Sequence, residues 1–319
     1  MSPVDTAQAD APTSDALATQ ATHTVVELEE GVFACVQPDG GWCLSNAGLV
    51  VGRSGTVLVD TAATERRAHA LLETVRRLSP RPVDVLVNTH SHGDHTFGNS
   101  LFAGEAAIVA HERAAAEIAE FGLALQKLWP QVEWGRIEVS PPTVTFRERL
   151  SVPDAGTAVE LLHLGPGHTP GDAVVWLPEQ RVLFTGDLVF SGATPFVLMG
   201  TVTGTLRRLD RLRALEPRRV VPGHGPVGGP ELLDANADYL RWIRDLARLG
   251  AAEGVTPREL AASVPLGRFA GLLDGERLVP NLIRAYAEDA GLAPAAPIDV
   301  VAAFGEMVEF HGGLPHCVA

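Results

Sequence analysis

The sequence predicts a mixed α/β chain arranged as a four-layer αββα sandwich, with two sheets face to face, helices outside them, and a helical appendage behind. Three observations carry that expectation. A β-rich stretch, a helix, further strands and another helix follow one another and repeat loosely in the second half. Four strand-like apolar runs each end in a turn marked by Gly and bearing His or Asp. Beyond Gly250 the texture changes to helices alone. The organisation expected is a mobile N-terminal segment over 1–23, a two-sheet domain over 24–250, and an appendage over 251–319 packed on that domain.

Thr24–Val36, Trp42–Val51 and Gly55–Asp60 alternate or run apolar between Gly-bearing turns, and read as an antiparallel meander. Thr64–Leu78 is an amphipathic helix ended by Ser79-Pro80. Val83–Asn88 and Ala106–Ala110 read as buried strands, and His111–Leu128 as a helix with Ile118, Phe121 and Leu125 on one face. Val159–Leu164 is a strand, and Ala173–Leu177 pairs with Arg181–Thr185 around Pro178-Glu179-Gln180. Gly204–Leu215 reads as helix, Val220–Val221 as strand and Pro230–Leu249 as helix. Thr256-Pro257-Arg258-Glu259 is a capping box with Pro at the first helical position, a firm helix start. Leu278–Asp289 and Val300–Phe310 are the helices that follow.

The strand ends carry the chemistry. Val83–Asn88 runs into Thr89-His90-Ser91-His92-Gly93-Asp94-His95, Val159–Leu164 into Gly167-His168, Arg181–Thr185 into Gly186-Asp187, and Arg219–Pro222 into Gly223-His224. In an extended segment His90 and His92 throw both imidazoles to one side and Asp94 continues the alternation. His95 points elsewhere and is free to serve a second ion. This set of His and Asp side chains suits a divalent pair such as zinc, which accepts imidazole and carboxylate together. His23, His69, His111, His163, His311 and His316 lie outside this pattern and are read as capping, solvated or core groups.

Composition narrows the classes. With 25 basic against 39 acidic residues the formal charge is −14, which disfavours nucleic acid as a partner. The basic run Arg207–Arg219 interleaves Leu209, Leu212 and Leu215 and reads as the solvated face of a helix. Cys35, Cys43 and Cys317 form no C-x-x-C pair and occupy no ligand position; the sparse set points to reduced thiols, with a Cys35–Cys43 bridge left open. Met1–Thr24 lacks the basic and apolar regions of a signal peptide, and no apolar run reaches the roughly 18 residues of a membrane span. A cytoplasmic protein without membrane partners is expected; a homo-oligomer is compatible with the sequence.

The pattern His90-x-His92-x-Asp94-His95, then His168, Asp187 and His224, resembles the metallo-β-lactamase superfamily of metal-dependent hydrolases. Leu58-Val59-Asp60-Thr61, Gly165-Pro166-Gly167-His168-Thr169-Pro170-Gly171-Asp172 and Phe184-Thr185-Gly186-Asp187 fit the same family, over roughly Val25 to Leu249. The resemblance implies two zinc ions per chain. His90, His92 and His168 would hold one, Asp94, His95 and His224 the other, with Asp187 bridging. It further implies a metal-bridging hydroxide that attacks an ester, thioester or lactone carbonyl, with Asp94 as the catalytic residue orienting it.

Departures from known branches narrow the substrate. Secreted zinc β-lactamases lack an aspartate at the bridging position, which Asp187 occupies here. Gly225-Pro226-Val227-Gly228-Gly229 after His224 differs from glyoxalase II, and Leu188-Val189-Phe190 after Asp187 lacks the tyrosine of acyl-homoserine lactonases. Flavodiiron proteins carry Glu where His92 stands. The remainder resembles an actinobacterial group that includes thioesterase/cyclases of aromatic polyketide (antibiotic) biosynthesis, acting on carrier- or coenzyme-bound acyl thioesters. The rival expectation is a one-iron oxygenase resembling persulfide dioxygenases, with Fe2+ in place of zinc. Trp129, Trp134, Phe196 and Met199 are the candidate walls of a pocket for a flat apolar small-molecule substrate.

Overall fold

The computed structural model describes residues 22–152 and 157–319. The expected mobile segment 1–23 lies outside the described residues except for Thr22 and His23; His23 Nε2 is 3.0 Å from Thr74 Oγ1. In chain order the elements are β1 (Thr24–Glu29), β2 (Val32–Val36), β3 (Ala47–Val51), β4 (Thr56–Val59), α1 (Glu65–Leu78), β5 (Val85–Val87), α2 (Gly93–Thr96), β6 (Ala107–His111) and α3 (Glu112–Phe121). There follow β7 (Val144–Phe146), β8 (Arg149–Val152), β9 (Val159–Leu162), β10 (Val174–Leu177), β11 (Val182–Phe184), α4 (Val202–Arg213) and β12 (Arg219–Val221). The chain ends in α5 (Glu231–Glu253), α6 (Pro257–Ser263), α7 (Leu278–Asp289) and α8 (Val300–His311).

The first sheet runs β1 to β7 in sequence order, antiparallel through β4 and parallel from β4 to β7. The second runs β12-β11-β10-β9-β8, with only β11 and β12 parallel. Side-chain alternation splits each strand between two faces. Val57, Val59, Val87 and Val109 of the first sheet meet Leu161, Val175, Leu177, Val182 and Phe184 of the second in one apolar layer. On its outer face the first sheet packs Leu49, Leu58, Leu86 and Ile108 against Leu71 and Val75 of α1. The second sheet packs Val174, Trp176, Leu183 and Val220 against α4, α5 and α7. Helix, sheet, sheet and helix are therefore stacked in four layers, as the pattern of elements predicts.

Local chemistry explains most boundaries. Thr64 caps α1 through Arg67 N–H, and the α6 capping box is formed on both sides by Thr256 and Glu259. Three expectations shift. Thr24–Val36 is a hairpin rather than one strand, because Gly31 at φ +72° turns the chain. The run Trp42–Val51 enters the sheet only at Ala47. The helix from His111 stops at Phe121, where Gly122 at φ +51° ends it, and a 3-10 turn follows over Ala124–Lys127. β7 and β8 carried too short an apolar signal to be read as strands. Among the described residues no helix is long and apolar enough to cross a membrane. Beyond α5, α7 joins the apolar layer under α4 and α5, and α8 sends Ala303 and Met307 toward Trp42, Trp129 and Phe196.

Candidate metal centre

β9, β11 and β12 all point the same way, since β10 is antiparallel to β9 and β11 while β11 and β12 are parallel. Their C-terminal ends consequently share one edge of the second sheet. His168 follows β9, Asp187 sits in the 3-10 turn after β11, and His224 follows β12. From the first sheet, β5 feeds the loop of His90 and His92 and the short α2 that holds Asp94 and His95. Side chains 134 residues apart in sequence meet only because the two sheets face each other.

All seven predicted ligands converge. They form two groups, His90, His92, His168 and Asp187, and Asp94, His95 and His224, in each of which the ligand atoms lie within 4.8 Å of one another. Asp187 faces both. Its Oδ2 lies 3.4 Å from His168 Nε2, 3.9 Å from His90 Nε2 and 3.4 Å from His224 Nε2, while Oδ1 lies 3.2 Å from His95 Nε2. Asp94 Oδ2 is 3.2 Å from His224 Nε2 and 3.7 Å from His95 Nε2. Gly223 makes room, since a Cβ there would collide with the Asp187 carboxylate.

The far ring nitrogens are tied back. His95 Nδ1 donates to Asp60 Oδ2 at 2.9 Å, His168 Nδ1 to the Phe196 carbonyl at 2.5 Å, and His224 Nδ1 to the Gly41 carbonyl at 3.2 Å. His90 Nδ1 lies 3.1 Å from Thr89 Oγ1, whose own proton goes to Asp60 at 2.7 Å. Such partners fix ring orientation and aim the opposite nitrogen at the centre. Those inward atoms are unsatisfied: His90 Nε2, His95 Nε2 and Asp187 Oδ1 are buried without a hydrogen-bond partner. Buried polar atoms left unpaired are costly, and a divalent cation among these donors satisfies them. The residues fit the metal the pattern implied.

Electrostatics divides the two groups. Burial, with neighbouring imidazoles adding, holds His90 well below its ordinary range, takes His92 down to about 3 and lowers His168. These rings are neutral and ready to ligate. Burial opposes charge on His95 and His224 too, but the facing carboxylates win: His95 rises well above its usual value and His224 to about 9. Burial likewise pushes Asp94 and Asp187 up, yet His95 and His224 bring Asp94 down to about 2, and His224, His95 and His168 hold Asp187 well below the carboxylate range.

These are the arrangements of a metal site, and residues 40–224 match the family described as Metallo-beta-lactamase superfamily. The chain belongs to the metallo-beta-lactamase superfamily. It is 29% identical over 263 residues to the linear primary-alkylsulfatase of a Pseudomonas species, a match covering 68% of this chain and 49% of that one. The chain thus spans about half the length of that relative. It is also 29% identical over 220 residues to a type 2 metallo-beta-lactamase of Bacteroides fragilis, covering 66% of this chain and 82% of the relative. Among solved structures, a metallo-beta-lactamase from Pontibacter korlensis superposes with a TM-score of 0.56 at 26% identity, over 69% of this chain and 99% of that one. The metallo-beta-lactamase fold accounts for the two sheets and flanking helices, with the C-terminal helices added to it.

The four candidate wall residues lie in one apolar cluster of this superfamily member. Trp129, Trp134 and Phe196 are buried, Met199 is half-buried, and all four pack with Trp42, Phe190 and Met307. Phe196 reaches the centre directly, its ring 6.1 Å from that of His168. Trp42 escaped the sequence reading, whereas Phe190 opens the apolar segment Phe190–Val202 expected to line a pocket. Trp42 sits in van der Waals contact with Trp129 and Phe196, donates Nε1 to Glu276 at 2.7 Å, and carries Arg277 over its ring at 4.1 Å. Phe190 stacks on His224 with centroids 5.3 Å apart. Asp60, which accepts from Thr89 and His95, lies outside the predicted ligand set. Its signal was an acid closing an apolar strand, and the backbone there is held at φ +59°. Cavities of about 310 Å³ beside Phe190 and about 230 Å³ between Trp129 and α8 flank the cluster.

Proposed function

We propose that this protein is a dinuclear zinc hydrolase of esters, thioesters or lactones. The observation that carries the reading is Asp187, whose two carboxylate oxygens face both ligand groups at once. On this reading His90, His92 and His168 hold one ion, Asp94, His95 and His224 the second, and Asp187 lies between. A bound metal pair supplies Lewis acidity toward the carbonyl and a water acidified to near neutral pH. The chain's own groups do the rest. Asp94 accepts a hydrogen bond from the attacking water and orients it. Asp60, Thr89, Gly41 and the Phe196 carbonyl keep the imidazoles aimed. Trp42, Phe190 and Phe196 exclude bulk water, which strengthens every charge interaction inside.

The same wall favours an aryl or acyl group on the substrate, with a carrier- or coenzyme-bound aromatic or polyketide thioester as the sharpest version. The name of the Pseudomonas relative favours a second reading, a sulfate ester of a linear primary alcohol. Metal analysis of purified protein, followed by rates on an aryl ester, an aryl thioester, an alkyl sulfate and a β-lactam, tests both. About two zinc ions per chain with carbonyl-ester or thioester turnover is expected. One iron with oxygen uptake, or a preference for the β-lactam, would overturn the assignment, and turnover of the alkyl sulfate alone would select the second reading.

A further inference from the structure

The loop from Val189 to Gly200 leads from the Asp187 turn to α4 and lies directly on His168. Thr201 N–H donates to the Gly167 carbonyl at 2.7 Å, and a Cβ on Gly200 would collide with the carbonyls of Gly167 and His168. The same loop supplies the Phe196 carbonyl that takes the His168 Nδ1 proton. What shapes the loop comes from α7. Arg277 at its start, Asn281 and Arg284 stand four and then three residues apart, which puts them on one face of the helix, and none is more than 1% exposed. Arg277 Nη1 donates to the Thr194 carbonyl at 2.9 Å, Asn281 Nδ2 to the Pro195 carbonyl at 2.7 Å, and Arg284 Nε to the Leu198 carbonyl at 2.7 Å. Asn281 Oδ1 also accepts from Val197 N–H at 3.0 Å. The superfamily match ends at residue 224, so this polar face belongs to the helices added beyond it.

We propose that Asn281 is a positioning residue of the metal centre, acting on His168 through the peptide between Phe196 and Val197. That peptide carries the Phe196 carbonyl and the Val197 N–H, and a planar trans amide points the two in opposite directions. With the N–H held by Asn281 on one side, the carbonyl is aimed at His168 on the other. The bonds run in series from Asn281 Oδ1 through the peptide to His168 Nδ1, and each polarises the next. A carbonyl so placed keeps the proton on Nδ1 and leaves His168 Nε2 facing Asp187 Oδ2 at 3.4 Å. The bonds from Asn281 to Pro195 and from Arg284 to Leu198 pin the chain on either side, so the peptide cannot turn. An apolar residue at position 281 would leave Val197 N–H and the Pro195 carbonyl buried without these partners and free the peptide to turn. His168 would then lose its brace although no residue touching it had changed. This role requires His168 to be a metal ligand and is independent of which bond is hydrolysed.

Zinc affinity, read by competition against a chelator, is compared for the unsubstituted protein and for Asn281→Leu, Leu282→Ala and His168→Gln. Leu282 is buried in the apolar layer shared with α4 and α5, about 100° round the helix from Asn281, and controls for a loss of stability alone. Asn281→Leu should weaken affinity about 10-fold and, in zinc-loaded protein, shift the Nδ1 proton resonance of His168, assigned by its absence from His168→Gln. Leu282→Ala should lower the melting temperature and leave both unchanged. Unmoved affinity and resonance in Asn281→Leu, beside lost affinity in His168→Gln, would overturn the positioning role alone. Equal losses in Asn281→Leu and Leu282→Ala would reduce Asn281 to a packing residue. Unmoved affinity in His168→Gln would overturn the ligand reading of His168 and this role with it. Hydrogen exchange on the unsubstituted protein needs no folded variant: the Val197 amide should exchange as slowly as the amides of α7, and rapid exchange would break the relay.

Discussion

Asp60 holds the ring of His95 from behind: its Oδ2 accepts from Nδ1 at 2.9 Å, while the opposite nitrogen faces Asp187 Oδ1 at 3.2 Å. The same carboxylate accepts from Thr89 N and Thr89 Oγ1, both at 2.7 Å, so one acid after β4 braces the chain both where it leaves β5 and at His95 in α2. Asp60→Asn presents an amide N–H where three donors converge. Metal affinity should fall about 10–100-fold with the fold retained, as for other groups that orient a ligand. Competition against a chelator measures it, and undiminished affinity would show that His95 needs no brace.

Asp187→Asn removes the negative charge between the two ligand groups. Retention of one ion should weaken, and turnover should fall by at least about 100-fold, more than loss of an orienting neighbour costs. Metal content and kcat on the same preparation decide the matter; two retained ions with near-normal turnover would refute the shared-ligand role.

Asp94→Ala, assayed at saturating metal, should lower kcat far more than it changes KM, because the lost group orients the attacking water and does not grip substrate. A raised KM at unchanged kcat would place Asp94 outside the chemistry.

In metal-stripped protein His224 carries a proton at neutral pH: burial opposes it, but Asp187 and Asp94 raise the ring to about 9. That raised value means the proton stabilises the apo fold fully below the ordinary 6.5, and the contribution disappears as pH climbs through about 9. A metal ion must displace this proton, so metal affinity should strengthen as pH rises toward about 9 and binding should release protons. Calorimetric titration in buffers of differing ionisation enthalpy reads the proton count. No proton release between pH 7 and 9 would mean that His224 is not a ligand.

Met199 is half-buried beside Phe196, so shortening it costs little packing. Met199→Ala should reduce kcat/KM for a bulky aryl thioester by roughly 10-fold and leave an acetyl thioester nearly unchanged, the range expected for a few methylenes of pocket contact. Equal losses on both substrates would make Met199 a packing residue only.

The site was legible wherever chemistry is local. His90, His92, Asp94 and His95 stand within six positions, and His168, Asp187 and His224 each close an apolar run beside a glycine. The helix starts at Thr64 and Thr256 were legible for the same reason, since a cap is made within three residues. β7 and β8 were not, because three- and four-residue strands with exposed faces carry little periodicity. The break at Gly122 hid inside an apolar run that continues through Leu123 and Leu125.

By itself the sequence determined the order of elements, the sandwich, and the seven His and Asp side chains that the fold brings together, because backbone propensity, alternation and ligand type are properties of short stretches. The family resemblance already implied how those side chains divide into two groups about Asp187; only the tertiary structure decided which atoms brace them. It also decided that Trp42 packs on Phe196, that Phe190 stacks on His224, and that Cys43 and Cys317 share one apolar cluster while Cys35 lies in another. Each of these is a contact between segments far apart in the chain, fixed by how the two sheets and the last helices pack, and no local pattern encodes such a distance.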